Sequence, residues 1–482
     1  MHTRDKLYAL QKRGLTMPIN DFSHHQLTWY PDKTKLKRPL YRSLLKQLTS
    51  AINNGQLKPG TQLPPQRELA DFLDINFTTV TRTYKLSAQY GLTYGIHGKG
   101  TFVSSNGIDP LTVNTKRLPM IELGFVASFE QTNHLLDGII KQTVKEGASQ
   151  LLTYDDPTGR LVDKEAFLEY LNWLGISLNT SQRVIVTPGG ENSLTLLLMT
   201  MFSSGDRIAV DEFTYGNLIA TAQLNNIHLV AVQNDHLGMI PDQLEKACLN
   251  NHLAGIYLMP EYSNPLGITM PIARRQKLAA IMKKHHLKVI EDDYMSFLTK
   301  FNPDHPVKLM QLLPQQTFYV CSMSKVVASG LRISYLVFPR QFQSQVENGF
   351  FNTMVKTSTL NSAIATNIIK QGLVYQIIDH KLSLAKQANH IFDQIYGQSS
   401  PNEITELAYF RNLPVSARSE GQDIEADLLK KGIRCFSSKR FKVNAGNQHD
   451  FLRVSLSGTK SMNELSRGLK LLQQYLEQNC LI

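Results

Sequence analysis

Between residues 184 and 338 the chain alternates short runs rich in apolar and β-branched residues with polar turns and stretches of helical spacing. The runs are 184–187, 208–210, 229–232, 255–259, 288–290, 318–321 and 335–338. Strands separated by helices return to one sheet by crossing over it, so the alternation predicts an α/β fold with a mainly parallel central sheet. Ligands of such sheets lie at the carboxyl ends of the strands, and functional residues are therefore expected just after the runs. No apolar stretch approaches the ~18 residues of a membrane span, 194–202 being the longest, so no membrane partner is expected. A composition of 42% hydrophobic and 19% charged residues over 482 positions excludes a disordered or fibrous chain and leaves room for several domains.

The turns after the runs carry the chemistry. Pro188-Gly189-Gly190 leads from a strand into a helix, "PEYSNPLG" follows 255–259, "EDDY" follows 288–290, and "SMSKVVASGLR" follows 318–321. Singly, each is ordinary turn chemistry. Together they set a lysine, a carboxylate, a phenol, an amide and an arginine at successive strand ends, the inventory required by an aldehyde cofactor with a pyridine ring and a phosphate, pyridoxal 5'-phosphate. Lys325 would supply the Schiff-base amine, its pKa lowered in a shielded cleft among cations. Asp292 would face the ring nitrogen, and Tyr294 and Asn264 would donate to the phenolic oxygen. Ser322, Ser324, Arg332 and the amides of Gly190 and Glu191 would hold the phosphate, with Tyr215 stacked on the ring or simply packed in the core.

From about residue 121 to the end, these four motifs in this order resemble the fold-type I aminotransferases. By that resemblance Arg453, in "FLRVSLSG", matches the arginine that clamps a substrate carboxylate. Tyr154, in "YDDPTG", matches a tyrosine that reaches the cofactor phosphate of the other subunit, which implies a homodimer with composite sites. Glu191 departs from the pattern: the family has a neutral residue there, and a carboxylate beside the phosphate would repel it unless turned outward. "TELAYFRNLP" departs too, so the amino-donor pocket does not carry over, whereas Asn264 is the enzyme-like residue.

The N-terminal part has a different partner. Residues 1–118 hold 17 Lys and Arg against 7 Asp and Glu, a net +10 of the chain's +11. Such an excess is the footprint of a phosphate-backbone binder, or else a solvated basic surface. Helical spacing predicts helices over 40–53, 66–73 and 76–90, followed by strands at 92–94 and 101–103 joined by the glycine-rich 95–100. That is a winged helix-turn-helix, whose third helix presents Thr78, Thr79, Thr81, Arg82 and Lys85 outward, with Lys99 in the wing. "GQLKPGTQLPPQRELADFL" and "YGLTYGIHGKGTFV" resemble the GntR-type regulators over about 38–104, which implies that Arg67, Thr79, Arg82 and Gly98 meet double-stranded DNA. Where that family has an arginine early in the third helix, this chain has Phe77, which would touch a thymine methyl or pack.

The domains read as a basic extension at 1–37, a winged helix at 38–104, a linker at 105–120 and an aminotransferase-like effector and dimerisation domain at 121–482. The sequence assigns the extension no role beyond adding charge. Residues 1–14 lack the apolar centre of a secretory signal, and Cys248, Cys321, Cys435 and Cys480 form no CxxC, so a cytoplasmic chain with reduced thiols and no metal is expected. The joint organisation resembles MocR-type regulators, which implies a transcription regulator sensing pyridoxal phosphate or an amine or amino-acid effector. A working aminotransferase with an accessory DNA-binding domain, and a cofactor-free dimerisation scaffold, are the rival readings.

Overall fold

The computed structural model describes residues 28–53, 56–57, 60–89, 92–96, 100–104, 120–154, 156–301, 306–397, 405–416, 423–443 and 450–481. The chain divides into two compact units, Met1–Arg117 and Leu118–Ile482. The connector at 106–119, residues 1–27 of the extension, and Gly98 and Lys99 of the wing lie outside the described residues.

The smaller unit has helices α1 (Leu40–Asn53), α2 (Gln66–Leu73) and α3 (Phe77–Gln89), and strands β1 (Thr93–Ile96) and β2 (Gly100–Val103). Their apolar faces meet in one core of Leu44, Leu48, Ile52, Leu69, Leu73, Val80 and Tyr84, closed by Val103. The turn between α2 and α3 is built by two short polar residues. Asp74 takes a positive φ of 53° and donates its N–H to Ala70 and Asp71, and the Asn76 side chain accepts from the Thr78 N–H at 2.8 Å. The wing strands pair antiparallel, Thr93 opposite Val103. Part of the extension belongs to this unit: Trp29 is buried in its core, and Gln47 brackets Asp32 by accepting from its N–H at 2.8 Å and donating to its carbonyl at 2.9 Å.

In the larger unit the seven sequence runs become β3 (Gln182–Thr187), β4 (Arg207–Asp211), β5 (His228–Val232), β6 (Gly255–Leu258), β7 (Lys288–Asp293), β8 (Thr317–Ser322) and β9 (Ser334–Pro339). They form one sheet in the order β3-β9-β8-β7-β6-β4-β5, in which only β9 runs antiparallel to its neighbours. Helices α4 (Gly190–Met201), which follows β3, and α5 (Gly216–Leu224), which follows β4, pack on it, and the long α6 (Leu373–Tyr396) comes later in the chain. The unit ends in an antiparallel sheet of β10 (Phe410–Pro414), β12 (Phe451–Ser455) and β11 (Phe436–Ser437), with β12 in the middle.

Strand β7 continues through an acidic triplet that the sequence placed in a turn. Alternation of side chains makes this possible. Glu291 accepts from the N–H groups of Leu309 and Met310, and Asp293 pairs with Lys308 at 2.7 Å. Lys308 also meets Glu261 at 3.1 Å, and Glu261 meets Arg275 at 2.7 Å, all four groups being buried. Each buried charge there is paired, as burial requires. Asp292, between Glu291 and Asp293, points to the opposite face of the sheet.

Candidate functional site

Lys325 sits in a single helical turn, Met323–Val326, directly after β8. The residue is half-buried, and its Nζ donates to the carbonyl of Val126. Burial pushes the amine down to about 8, and the guanidinium groups of Arg453 and Arg332 push in the same direction. The turn is pinned from behind by a second lysine: Lys381 of α6, fully buried, donates to the carbonyls of Lys325 at 3.0 Å and Val327 at 2.5 Å. Its own pKa is lowered by burial and by the charge of Lys325.

Asp292 is buried at the end of β7 and accepts from the Tyr257 hydroxyl of β6 at 2.8 Å. Burial raises its carboxyl to about 7, with Glu191 contributing. Tyr294, two residues on, donates to the Tyr262 carbonyl at 2.6 Å. Arg453 of β12 is buried among Phe410, Phe436 and Phe441, the last ring centroid 4.6 Å from its Cζ. One terminal nitrogen donates to Asn264 Oδ1 at 2.6 Å and the other to the Gly124 carbonyl at 2.6 Å, while Nε is buried without a hydrogen-bond partner. Burial lowers this guanidinium to about 10.

The start of α4 is shaped for an anion. Gly189 has φ +93°, and a Cβ there would lie 2.6 Å from Arg332 Nη2 and 2.8 Å from its Cζ, so the guanidinium lies directly on the turn. Arg332 also donates to Ser324 Oγ at 3.4 Å, and Ser322 Oγ accepts from the Ser324 N–H at 3.3 Å. A Cβ on Gly190 would come within 3.6 Å of Ser322 Cβ, which sets both serines beside the same helix start. Backbone N–H groups at a helix start, a guanidinium and two hydroxyls form a donor set suited to a phosphate. Glu191 is not turned to solvent: it is half-buried and accepts from the Tyr215 hydroxyl and from Asn217 Nδ2 at 2.9 Å. Burial and the Glu191 carboxylate hold the Tyr215 phenol well above its usual range.

A lysine of lowered pKa, a buried carboxylate on a neighbouring strand and a glycine cradle under an arginine fit pyridoxal phosphate. Lys325, Asp292, Ser322, Ser324, Arg332, Gly190, Glu191, Tyr215, Tyr294, Asn264 and Arg453 all belong to this cleft or its lining. Tyr154 does not join them, standing 87% exposed on the surface. Sequence reading missed Tyr257 and Lys381, whose contacts depend on strand register and on a helix some 50 residues downstream (Lys381 is 56 residues beyond Lys325). No grouping of metal-ligating side chains occurs among the described residues, and no described helix is long and apolar enough to cross a membrane.

In the smaller unit Arg67, Thr78, Arg82 and Lys85 are exposed and Thr79 is half-buried. Arg82 lies 3.9 Å from the ring centroid of Tyr41, and Arg67 lies 5.9 Å from that of Phe77. Phe77 is 43% exposed, so it is not a core residue.

Residues 126–469 match the family described as aminotransferase class I and II, and residues 40–103 match that described as bacterial regulatory proteins, gntR family. The chain is similar to a Bacillus subtilis protein named uncharacterized HTH-type transcriptional regulator YdeF, with 31% identity over 96% of this chain and 99% of the relative. It is also similar to the HTH-type pyridoxine biosynthesis transcriptional regulator PdxR of Corynebacterium glutamicum, with 25% identity over 61% of this chain and 65% of that one. Among solved structures, a kynurenine aminotransferase of Pyrococcus horikoshii superposes with a TM-score of 0.67 at 18% identity, over 77% of this chain and 96% of the other. That likeness shows the fold of the larger unit, fold-type I.

Proposed function

We propose, from the premise that the chain belongs to the aminotransferase class I and II family and carries a gntR-family domain ahead of it, that it is a MocR-type, DNA-binding regulator whose larger unit takes up pyridoxal phosphate on Lys325 and responds to that cofactor or to an amine or amino acid. The observation that carries the reading is Lys325 itself. Its amine is brought to about 8 by burial, Arg453 and Arg332, in a cleft that also holds Asp292 and the glycine cradle of α4. The similarity to a regulator named for pyridoxine biosynthesis supports it.

When bound, the cofactor supplies an aldehyde that condenses with amines and a pyridine ring that withdraws electrons. This chain's residues do the rest. Arg332, Ser322 and Ser324 would hold a phosphate at the start of α4, and Asp292 would serve the ring nitrogen as a carboxylate, since a cationic ring nearby would stabilise its charged form. Arg453 offers a guanidinium to an effector carboxylate and would release Asn264 or Gly124 to do so. A cytoplasmic homodimer, with Tyr154 of each protomer reaching its partner, would carry two DNA-binding units. The ligand shifts their arrangement only by preferring one arrangement over another.

A second reading, a working aminotransferase with an accessory DNA-binding domain, is favoured by the Asn264–Arg453 contact, which leaves an enzyme-like lining in place. The deciding experiment combines visible spectroscopy with gel shift on the chain's own upstream region. A yellow protein that loses its colour in Lys325→Ala, and weaker DNA binding with colour retained in Arg82→Ala, is the expected result. Colour and regulation both unchanged in Lys325→Ala would overturn the proposal, and steady transamination without any promoter footprint would favour the enzyme.

A further inference from the structure

We infer that Glu191 makes the pocket a reversible receptor for pyridoxal phosphate, its carboxylate competing with the cofactor's phosphate for the start of α4. The inference rests on the cofactor reading above and adds to it how tightly the group is held.

Glu191 is the second residue of α4, where the unpaired N–H groups and the helix dipole attract negative charge. An acidic side chain at that place already supplies what an arriving anion would offer. Its position is fixed by two contacts, the Tyr215 hydroxyl and Asn217 Nδ2 (2.9 Å) both donating to it, and Asn217 also reaches the Tyr215 hydroxyl at 3.2 Å. Tyr215 stands immediately before α5, so two successive strand-end helices hold the carboxylate between them. Its charge is felt inside the cleft, since it raises the pKa of Asp292 and opposes the lowering at Lys325.

At the same helix start lie Arg332, against Gly189, and Ser322, against Gly190. A phosphate monoester brings a charge of about −1.5 to −2. Seated between Arg332 and the serines, it gains the guanidinium and the backbone N–H groups but faces the Glu191 carboxylate in a partly desolvated cleft, where like charges repel more strongly than in water. An enzyme that keeps its cofactor through many turnovers gains nothing from such repulsion. A sensor of cofactor supply does, because only a ligand that leaves can report that its concentration has fallen.

The test titrates the cofactor-free full-length protein with pyridoxal phosphate, and separately with pyridoxal, following absorbance. Glu191→Gln keeps the shape of the side chain and can still accept from Tyr215. It should tighten pyridoxal phosphate by about tenfold and change pyridoxal far less, because the effect on Lys325 is common to both ligands and the repulsion of the phosphate is not. Glu191→Ser, which removes the long side chain, should also tighten it. Unchanged or weaker binding in both variants, or equal tightening of pyridoxal, overturns the role of Glu191. A wild-type protein that takes up no pyridoxal phosphate overturns the cofactor reading itself, so the two failures are distinguishable.

Discussion

Uptake of pyridoxal phosphate should depend on pH as Lys325 does. The nucleophile is the neutral amine, and burial, Arg453 and Arg332 bring its titration down to about 8 from 10.5. At pH 7 a group titrating at about 8 is roughly 9% neutral, whereas one at 10.5 is only about 0.03% neutral, so the cleft raises the reactive fraction about 300-fold. The rate of colour formation, measured by stopped-flow absorbance at fixed cofactor, should climb nearly tenfold per pH unit below about 8 and level off above it. Arg453→Met removes the larger of the two cationic causes and should move the inflection upward while slowing uptake at pH 7. The same shift has a stability consequence. A lysine whose folded pKa is depressed binds fewer protons folded than unfolded between about 8 and 10.5, so the protein should gain stability as pH rises through that window. An inflection at or above 10, or one that Arg453→Met leaves in place, would refute the argument that burial and these cations activate the amine.

Two further outcomes follow from geometry. Gly189→Ala puts a methyl 2.6 Å from the Arg332 guanidinium on a backbone at φ +93°, so cofactor affinity should fall at least about tenfold in a spectroscopic titration while DNA binding in a gel shift is unchanged. Trp29→Ala empties a core position of the smaller unit and should destabilise it by about 3–5 kcal/mol, seen as loss of DNA binding at lower denaturant while the colour of the larger unit persists.

The sheet was legible because its signal is repeated: all seven runs became strands, with no end displaced by more than three residues. The acidic end of β7 was not, because Glu291, Asp292 and Asp293 look like a surface turn until Lys308 and the helix starting at Leu309 are brought against them. At the site, the residue types at the strand ends were legible, but not how they engage one another. Asn264 and Tyr294, read as donors to a ring, are here engaged with Arg453 and the Tyr262 carbonyl. Tyr257 lies in a strand whose register with β7 no local pattern encodes, and Lys381 comes from a helix far along the chain. Glu191 was recognised as anomalous, yet only the Tyr215 and Asn217 contacts reveal that it stays in the cleft. Trp29 gave no signal at all, since one aromatic in a polar extension has no period to betray its burial.

The chain has two tryptophans, and the fold assigns one to each unit: Trp29 to the core of the smaller, and Trp173 to the larger, beside Tyr375 at 5.0 Å. Intrinsic fluorescence is thereby already divided between the two units. A Trp173→Phe protein would glow from the smaller unit alone, and adding pyridoxal phosphate and an amine would then reveal, without any attached dye, whether news of a ligand travels as far as the gntR-family domain.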